Sequence, residues 1–522
     1  MQILDCTLRD GGYYTNWDFE PELVEHYAKT LAALPISCVE IGYRTPTSAG
    51  YGGEYQFLPL GTIKRLSAHL APHQSLAVML NAKECQPSEL GALLDDCRGW
   101  VKMVRMAVDP AQIDHGLALA SGLKAMGFEV AINLMYLSKL TEDHPVFRRL
   151  ERVGDEVDVI NLVDSYGACF PDQVAALFQH LRKLLRHPLG FHGHDNIGLA
   201  FANSLAALNA GATWVDATIT GMGRGAGNLR TELMVAYLTR GQNSDLSALG
   251  ELLETFKAMK AEYGWGSELP YIISGLEGLP QKDVMDWLSK KRYATSTIIR
   301  ALQGSGHEMF DDNRFPDIAT WRASPQANVL VIGGGESALR HQAALKELAS
   351  RQRTLIVHSS LKHALAYRDV PVPQIACLSG HEARKLSAEV LAELESSVGA
   401  YVVSTPPRVR SEIPEAIASR TYEAKPIFDA YEDPIFGKDA PLSLALGVAK
   451  ALSAKDVMLT GFDGYPNDDQ AQRQLASEVQ RTLASFETLY PEIALSSVTP
   501  TDYTLRTQSV YALIATPQGA QV

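Results

Sequence analysis

Leu189-Gly190-Phe191-His192-Gly193-His194-Asp195-Asn196 reads as a β-strand that runs out into polar groups, and it decides the fold because the chain repeats that pattern. Two histidines at i and i+2 on a strand project from one face, so both imidazoles can reach one cation without backbone distortion. Far upstream, Leu4-Asp5-Cys6-Thr7-Leu8-Arg9-Asp10-Gly11-Gly12 is another short apolar run closed by charge. Asp10 would bring a carboxylate from another strand end. Three N and O donors, with positions left for water and substrate, are what a catalytic divalent ion requires.

Working outward, short β-rich runs alternate with longer amphipathic ones up to about residue 228, the pattern of repeated βα units around a parallel sheet. The expected strands are Ile3–Cys6, Ser37–Ile41, Leu76–Leu80, Val101–Met106, Glu129–Asn133, Val157–Val163, Leu189–His194 and Thr213–Thr218, with helices such as Pro21–Ala33, Gln112–Met126 and Pro171–Arg186. Eight units predict an α/β fold with a closed (β/α)8 TIM barrel over 1–246. The suspected polar groups sit at strand C-termini, where barrel enzymes place their chemistry. Residues 247–303 read as a helical extension. Residues 304–326, rich in Gly, Asp, Asn, Pro and Ser, read as a linker. A second, Rossmann-like α/β domain is expected over 327–522, with strands at Val329–Ile332, Thr354–His358, Ile375–Leu378, Ala400–Ser404, Val457–Thr460 and Ile493–Ser497.

With 522 residues, two domains are the natural expectation. No apolar run approaches the length of a membrane span, and the start has no leader-like basic region, so a cytoplasmic protein is expected. The six cysteines lack CxxC spacing and read as buried reduced thiols. A net charge of −13 without a long basic run disfavours nucleic acid. Apolar helices in the extension suggest a homodimer.

Four motifs carry a resemblance. Thr7-Leu8-Arg9-Asp10-Gly11 follows strand 1, Val163-Asp164-Ser165-Tyr166-Gly167 follows strand 6, His192-Gly193-His194-Asp195-Asn196 lies on strand 7, and Gly221-Met222-Gly223-Arg224-Gly225-Ala226-Gly227-Asn228 follows strand 8. In order and placement they resemble the DRE-TIM metallolyases, which include 4-hydroxy-2-oxovalerate aldolase, 3-hydroxy-3-methylglutaryl-CoA lyase and the isopropylmalate and homocitrate synthases. The glycine-rich run is most similar to the hydroxy-oxo-acid aldolases. The resemblance implies that Asp10, His192 and His194, with Asn228 as a fourth ligand, bind Mg²⁺ or Mn²⁺. It implies that the ion chelates a 2-oxo acid, that Arg9 holds the developing enolate oxygen, and that Ser165 binds the substrate carboxylate. Read alone, Asp10-Gly11 is also a common turn and Asp164 also a helix or turn cap.

The chain departs from the resemblance at one position. Aldolases of this type carry a His three residues after the metal Asp, and here Tyr13 stands there. A phenol of ordinary pKa near 10 is a poor base at neutral pH, although it can donate a proton. Glu40, Arg44, Arg105 and Asn133 are expected to line the same mouth, with Tyr43 and Glu54 toward the variable half of the substrate. A Schiff-base mechanism is disfavoured, because strand 6 has no lysine and Lys102 stands alone in strand 4.

In the second domain, Val329-Leu330-Val331-Ile332-Gly333-Gly334-Gly335-Glu336-Ser337-Ala338 is a strand, a glycine turn and a helix start, expected over Ala338–Leu348. Gly333, Gly335 and Ser337 would face NAD or another nucleotide, or a nucleotide sugar. The following strand ends in His358 rather than an acid, which weakens the case for NAD. Together these features predict a metal-dependent lyase or aldolase acting on a 2-oxo acid and an aldehyde. The alternatives are an acyl-CoA-dependent Claisen synthase and a bifunctional or scaffold protein whose second domain binds a nucleotide ligand.

Overall fold

The computed structural model describes residues 1–46, 51–289, 295–302, 310–311, 313–321, 327–352, 354–379, 382–406, 408–409, 413–427, 440–465 and 470–515. The chain divides into two compact units, Met1–Asp286 and Trp287–Val522.

In the first unit, β1 (Gln2–Asp5), β2 (Cys38–Tyr43), β3 (Ser75–Asn81), β4 (Met103–Val108), β5 (Glu129–Leu134), β6 (Val159–Asp164), β7 (Leu189–Gly193) and β8 (Trp214–Ala217) close a parallel barrel in sequence order. Each strand lies within two residues of its expected bounds. The period of two sorts the side chains. On β4, Val104, Met106 and Val108 face the helices and join the outer core, while Met103 and Arg105 point inward. The barrel interior therefore has two kinds of layer. Leu4, Cys6, Cys38, Ala77, Met103, Ala131 and Val159 fill an apolar one. Glu40, Arg105, Asn133, Asn161, His192 and Asp216 are polar and almost completely buried.

One element differs from expectation in a way that matters. Thr7–Thr15 is not a turn but a helix, α1, that starts as soon as β1 ends. Asp10 is thus presented from the first turn of a helix rather than from a strand end. Arg9, Asp10 and Tyr13 share one face, because residues three and four apart are neighbours on a helix.

The second unit is a seven-stranded parallel sheet: β9 (Asn328–Ile332), β10 (Leu355–His358), β11 (Gln374–Cys377), β12 (Val398–Ser404), β13 (Thr421–Ala424), β14 (Asp456–Thr460) and β15 (Ala494–Ser497), in the order β13-β12-β11-β10-β9-β14-β15. The order reverses between β9 and β14, the place where open α/β sheets hold ligands. β13, Thr-Tyr-Glu-Ala, escapes the sequence reading because it offers no sustained apolar run. The helix expected over Ala338–Leu348 is two helices, Ser337–Arg340 and Gln342–Gln352. Much of the stretch read as a linker lies outside the described residues. Its residues 310–311 and 313–321 belong to the second unit's packing: Ile318 is fully buried in that core, Arg314 pairs with Glu423 at 2.8 Å, and Phe310–Asp311 pairs antiparallel with Arg408–Val409. No helix among the described residues is long and apolar enough to cross a membrane.

Candidate active site

The inward polar layer forms a closed ring of charge at the barrel mouth. Arg9 Nη1 donates to Asp10 Oδ1 at 2.7 Å and its Nε reaches Glu40 Oε2 at 3.4 Å. Arg105 Nη1 donates to the same Glu40 oxygen at 2.6 Å, and Nη2 donates to Asp216 Oδ2. Asp216 accepts from His192 Nδ1 at 2.9 Å, and His192 Nε2 lies 3.6 Å from Asp10 Oδ2, which closes the ring. Three carboxylates face two guanidiniums, so the ring holds one negative charge in excess.

The ring and its neighbours fix both imidazoles for coordination. A carboxylate can only accept, so His192 carries its proton on Nδ1 and turns the Nε2 lone pair toward Asp10. His194 Nδ1 donates to the Asp164 carbonyl oxygen at 2.8 Å, which leaves its Nε2 free in the same way. The two rings stand with centroids 5.0 Å apart. Donor atoms of Asp10, His192 and His194 all lie within 4.8 Å of one another. Asn228 Nδ2 donates to Asp10, while its buried Oδ1 has no hydrogen-bond partner. A pair of lone-pair nitrogens, a carboxylate and an orphaned amide oxygen form a donor set that fits one divalent cation.

The electrostatics keep these groups in ligand form. Burial pushes the Asp10 carboxyl up, but Arg9 and the two imidazoles outweigh it and hold the pKa down to about 2. Burial and the adjacent His192 drive His194 down to about 3, so it stays neutral. Asp216 is raised by burial but lowered on balance by Arg105 and His192, and it remains a carboxylate.

Tyr13 and Tyr43 meet at 3.1 Å between hydroxyls on one side of this cluster. The Arg224 guanidinium covers the Tyr13 ring, 4.8 Å from its centroid. Tyr43 is buried, which pushes its phenol well above the ordinary range and keeps it a proton donor. The glycine loop after β8 is crowded by necessity: a Cβ on Gly223 would lie 2.3 Å from Asn228 Nδ2. An antiparallel bridge between His194 and Asn228 then fixes the loop to β7.

Several expected mouth residues serve the scaffold instead. Arg44 is spent on the carbonyls of Leu93 and Leu58 and on Asp96. Glu54 accepts from Thr62 and Arg65 of the following helix, Leu60–Ser67. Asn133 pairs with Asn161 at 3.0 Å within the barrel. Asp164 accepts from the backbone of Ala168 and Cys169, as its reading as a cap allows. The buried Ser165 hydroxyl accepts from the Tyr136 backbone N–H at 2.9 Å. Asn196 ties the extension to the barrel through the Tyr271 carbonyl and Gln281. Lys102 is exposed and pairs with Glu129, away from the interior.

Two functional residues were not singled out by the sequence. Asp216 orients His192, yet it sits in Trp-Val-Asp-Ala with no motif around it, and only its inward register on β8 reveals it. Arg224 was quoted within the glycine motif without a role. A charged residue among four glycines is the signal that pointed to it.

In the second unit, the glycine turn is filled by the chain itself. Ser337 N donates to Asp463 Oδ2 at 2.8 Å, Ser337 Oγ donates to Asp463 Oδ1, and a Cβ on Gly335 would lie 2.7 Å from the Asp463 carboxyl carbon. The N–H expected to meet a phosphate already meets a carboxylate, so Gly333, Gly335 and Ser337 are brought together around Asp463. His358 is buried, with Nε2 2.8 Å from Gln374 Oε1.

Known proteins are similar to part of this chain. The HMGL-like family model matches residues 110–258. The 4-hydroxy-2-oxovalerate aldolase of Geobacillus genomosp. 3 is 31% identical over 255 residues, spanning 46% of this chain and 71% of the relative. That of Thermus thermophilus is 32% identical over 281 residues, spanning 52% and 76%. The crystal structure of the N-terminal domain of a candidate aldolase from Bacteroides vulgatus is 44% identical with a TM-score of 0.54, and it is matched over its whole length by 58% of this chain. On these matches the chain belongs to the HMGL-like family of DRE-TIM enzymes, and it is a carbon–carbon lyase akin to the 4-hydroxy-2-oxovalerate aldolases.

Proposed function

We propose that the barrel interconverts a 4-hydroxy-2-oxo acid with a pyruvate-type 2-oxo acid and an aldehyde. The observation that carries this reading is the convergence of Asp10, His192, His194 and the unpartnered Asn228 Oδ1 beside Arg9. These four residues would hold Mn²⁺ or Mg²⁺, and a bound ion would supply Lewis-acid polarisation of the 2-oxo acid oxygens.

The chain's own groups account for the rest. In cleavage the C4 hydroxyl loses its proton, the C3–C4 bond breaks, and its electron pair moves through C2–C3 onto the C2 oxygen, giving the aldehyde and an enolate that becomes the 2-oxo acid when C3 takes up a proton from solvent. Arg9, held by Asp10 and Glu40, would present a guanidinium to that oxygen as it gains charge, and preorganised charge of this kind is usually the largest catalytic term. In the joining direction the Tyr13 phenol would donate its proton to the developing C4 oxygen, leaving a phenolate that the Tyr43 hydroxyl, 3.1 Å away, hydrogen-bonds and that takes the proton back in cleavage. Ser165, whose hydroxyl accepts from the Tyr136 N–H and donates over a long 3.5 Å to the Val163 carbonyl, would bind the substrate carboxylate by turning that hydrogen toward it.

The test is metal analysis of the purified protein with pyruvate release, coupled to lactate dehydrogenase, across a panel of 4-hydroxy-2-oxo acids. Release that disappears on chelation and returns with Mn²⁺ or Mg²⁺ supports the reading. Free thiol released from acetyl-CoA in the presence of a 2-oxo acid, without pyruvate formation, would replace it with a Claisen synthase.

A further inference from the structure

Arg224 is a cation at the barrel mouth that no carboxylate contacts directly among the described residues. Its neighbours show why that is informative. Arg9 is engaged by Asp10 and Glu40, and Arg105 by Glu40 and Asp216. Arg224 makes no ion pair or hydrogen bond among the described residues; its one defined contact is the face of Tyr13. It is only partly exposed; burial disfavours its charge, and Tyr13, Asp10 and Tyr43 favour it from a distance without any of them making a bidentate contact with the guanidinium, so its N–H donors are open to an anion. Its position is built rather than incidental. The Arg224 carbonyl accepts from Gly227 N at 3.4 Å, Tyr14 holds the Gly225 carbonyl at 3.0 Å, and the His194–Asn228 bridge anchors the loop's far end.

Charge counting says what is missing. The ring of Asp10, Arg9, Glu40, Arg105, Asp216 and His192 carries one excess negative charge, which a divalent ion turns into one positive. Arg224 adds a second. A 2-oxo acid with one carboxylate offsets one of the two, and the other remains.

We propose that Arg224 selects a substrate with a second anionic group, a carboxylate or phosphate carried on the aldehyde half. This rests on the aldolase reading above and names its substrate class. The planar fork of a guanidinium matches either anion bidentately. Stacking on Tyr13 places that anion next to the group assigned to move the hydroxyl proton, which sits on the carbon derived from the aldehyde.

The experiment pairs pyruvate with butanal and succinic semialdehyde, and with glyceraldehyde and glyceraldehyde 3-phosphate, in wild type, Arg224→Leu and Arg224→Lys. Losing a charge-assisted pair lowers kcat/KM for the preferred anionic aldehyde by about 100-fold. The expected result is that the anionic member of at least one pair is preferred, that Arg224→Leu erases the preference, and that Arg224→Lys keeps part of it. The two pairs separate carboxylate from phosphate. Equal use of neutral and anionic aldehydes by wild type overturns the proposal, as does an equal fall for both in Arg224→Leu.

Calorimetric binding of 2-oxoglutarate against 2-oxobutyrate gives a readout that needs no turnover. A preference for the dicarboxylate that vanishes in Arg224→Leu supports the role of Arg224 even if no aldehyde reacts, in which case only the aldolase reading fails. No preference for either 2-oxo acid, together with no preference among the aldehydes, removes Arg224 from selection. Arg224→Gln serves where the leucine variant does not fold.

Discussion

The two glycine turns of this chain, Gly221–Asn228 after β8 and Gly333–Ser337 after β9, look alike as sequence and behave oppositely as chemistry. Both are crowded enough that a Cβ would collide with a polar side chain, Asn228 in one and Asp463 in the other. In the barrel the crowding leaves surplus capacity: among the described residues the Asn228 oxygen lacks a hydrogen-bond partner, two imidazole lone pairs face a carboxylate, and Arg224 has no carboxylate in direct contact. In the second unit the capacity is consumed internally. Ser337, Asp463, Gly461 and Thr499 satisfy one another. A glycine turn marks a close approach of backbone to something, and only the hydrogen-bond inventory says whether that something is a ligand or the protein itself.

The comparison breaks first at the residues proposed to hold the metal. Asp10→Asn and His192→Ala should lose both bound metal and turnover, read by metal analysis and pyruvate release; a fully active His192→Ala would return the barrel cluster to the same status as the Asp463 cluster. Tyr13→Phe comes next. Loss of a general acid–base group costs roughly 10²–10⁴-fold in kcat, and deuterium exchange into the pyruvate methyl should fall less, because that exchange does not involve the hydroxyl. Equal losses would assign Tyr13 to positioning Arg224 or the 2-oxo acid.

Two smaller effects sharpen the contrast. Asp216→Asn removes the group that orients His192, and partners of metal-bound histidines contribute about 10–100-fold to metal affinity; metal titration should show a weaker site that still works when saturated. In the second unit, Asp463→Ala should cost about 1–3 kcal/mol through the donors it strands, seen in denaturant unfolding as loss of the second unit's stability, while pyruvate release keeps its wild-type rate. If that variant instead gained affinity for phosphate, the internal carboxylate would be a ligand mimic.

The smallest effect is one of pH. Burial drives His358 down to about 4. The folded state therefore refuses a proton that the unfolded chain takes below about 6.5, and stability falls with pH from that point toward 4. Lowering the pH from 7 to 5.5 should cost the second unit about 1 kcal/mol, and His358→Gln should remove that share of the slope.

The strand order of the barrel, the position of both histidines and the presence of a second parallel sheet were legible because each depends on local periodicity or on motifs a few residues long. The reading of Asp10 as a strand-end group missed helix α1, since two glycines in Arg9-Asp10-Gly11-Gly12 lower helix propensity and only packing under the β8 loop restores it. Arg44 and Glu54 were legible as charged residues but not as scaffold, because their partners lie up to 52 residues away in sequence.

By itself, then, the sequence determined the barrel and, through its motifs, the family, and it pointed to Asp10, His192 and His194 as one cluster, because pleat and spacing dictate which side chains share a face. Only the tertiary structure decided which polar groups are spent. Asp216 closing the ring, Asp463 filling the second turn and Arg224 left unpaired all follow from approaches between segments remote in the chain, and the free energy of a buried charge is set by what stands beside it in space, not by its neighbours in sequence.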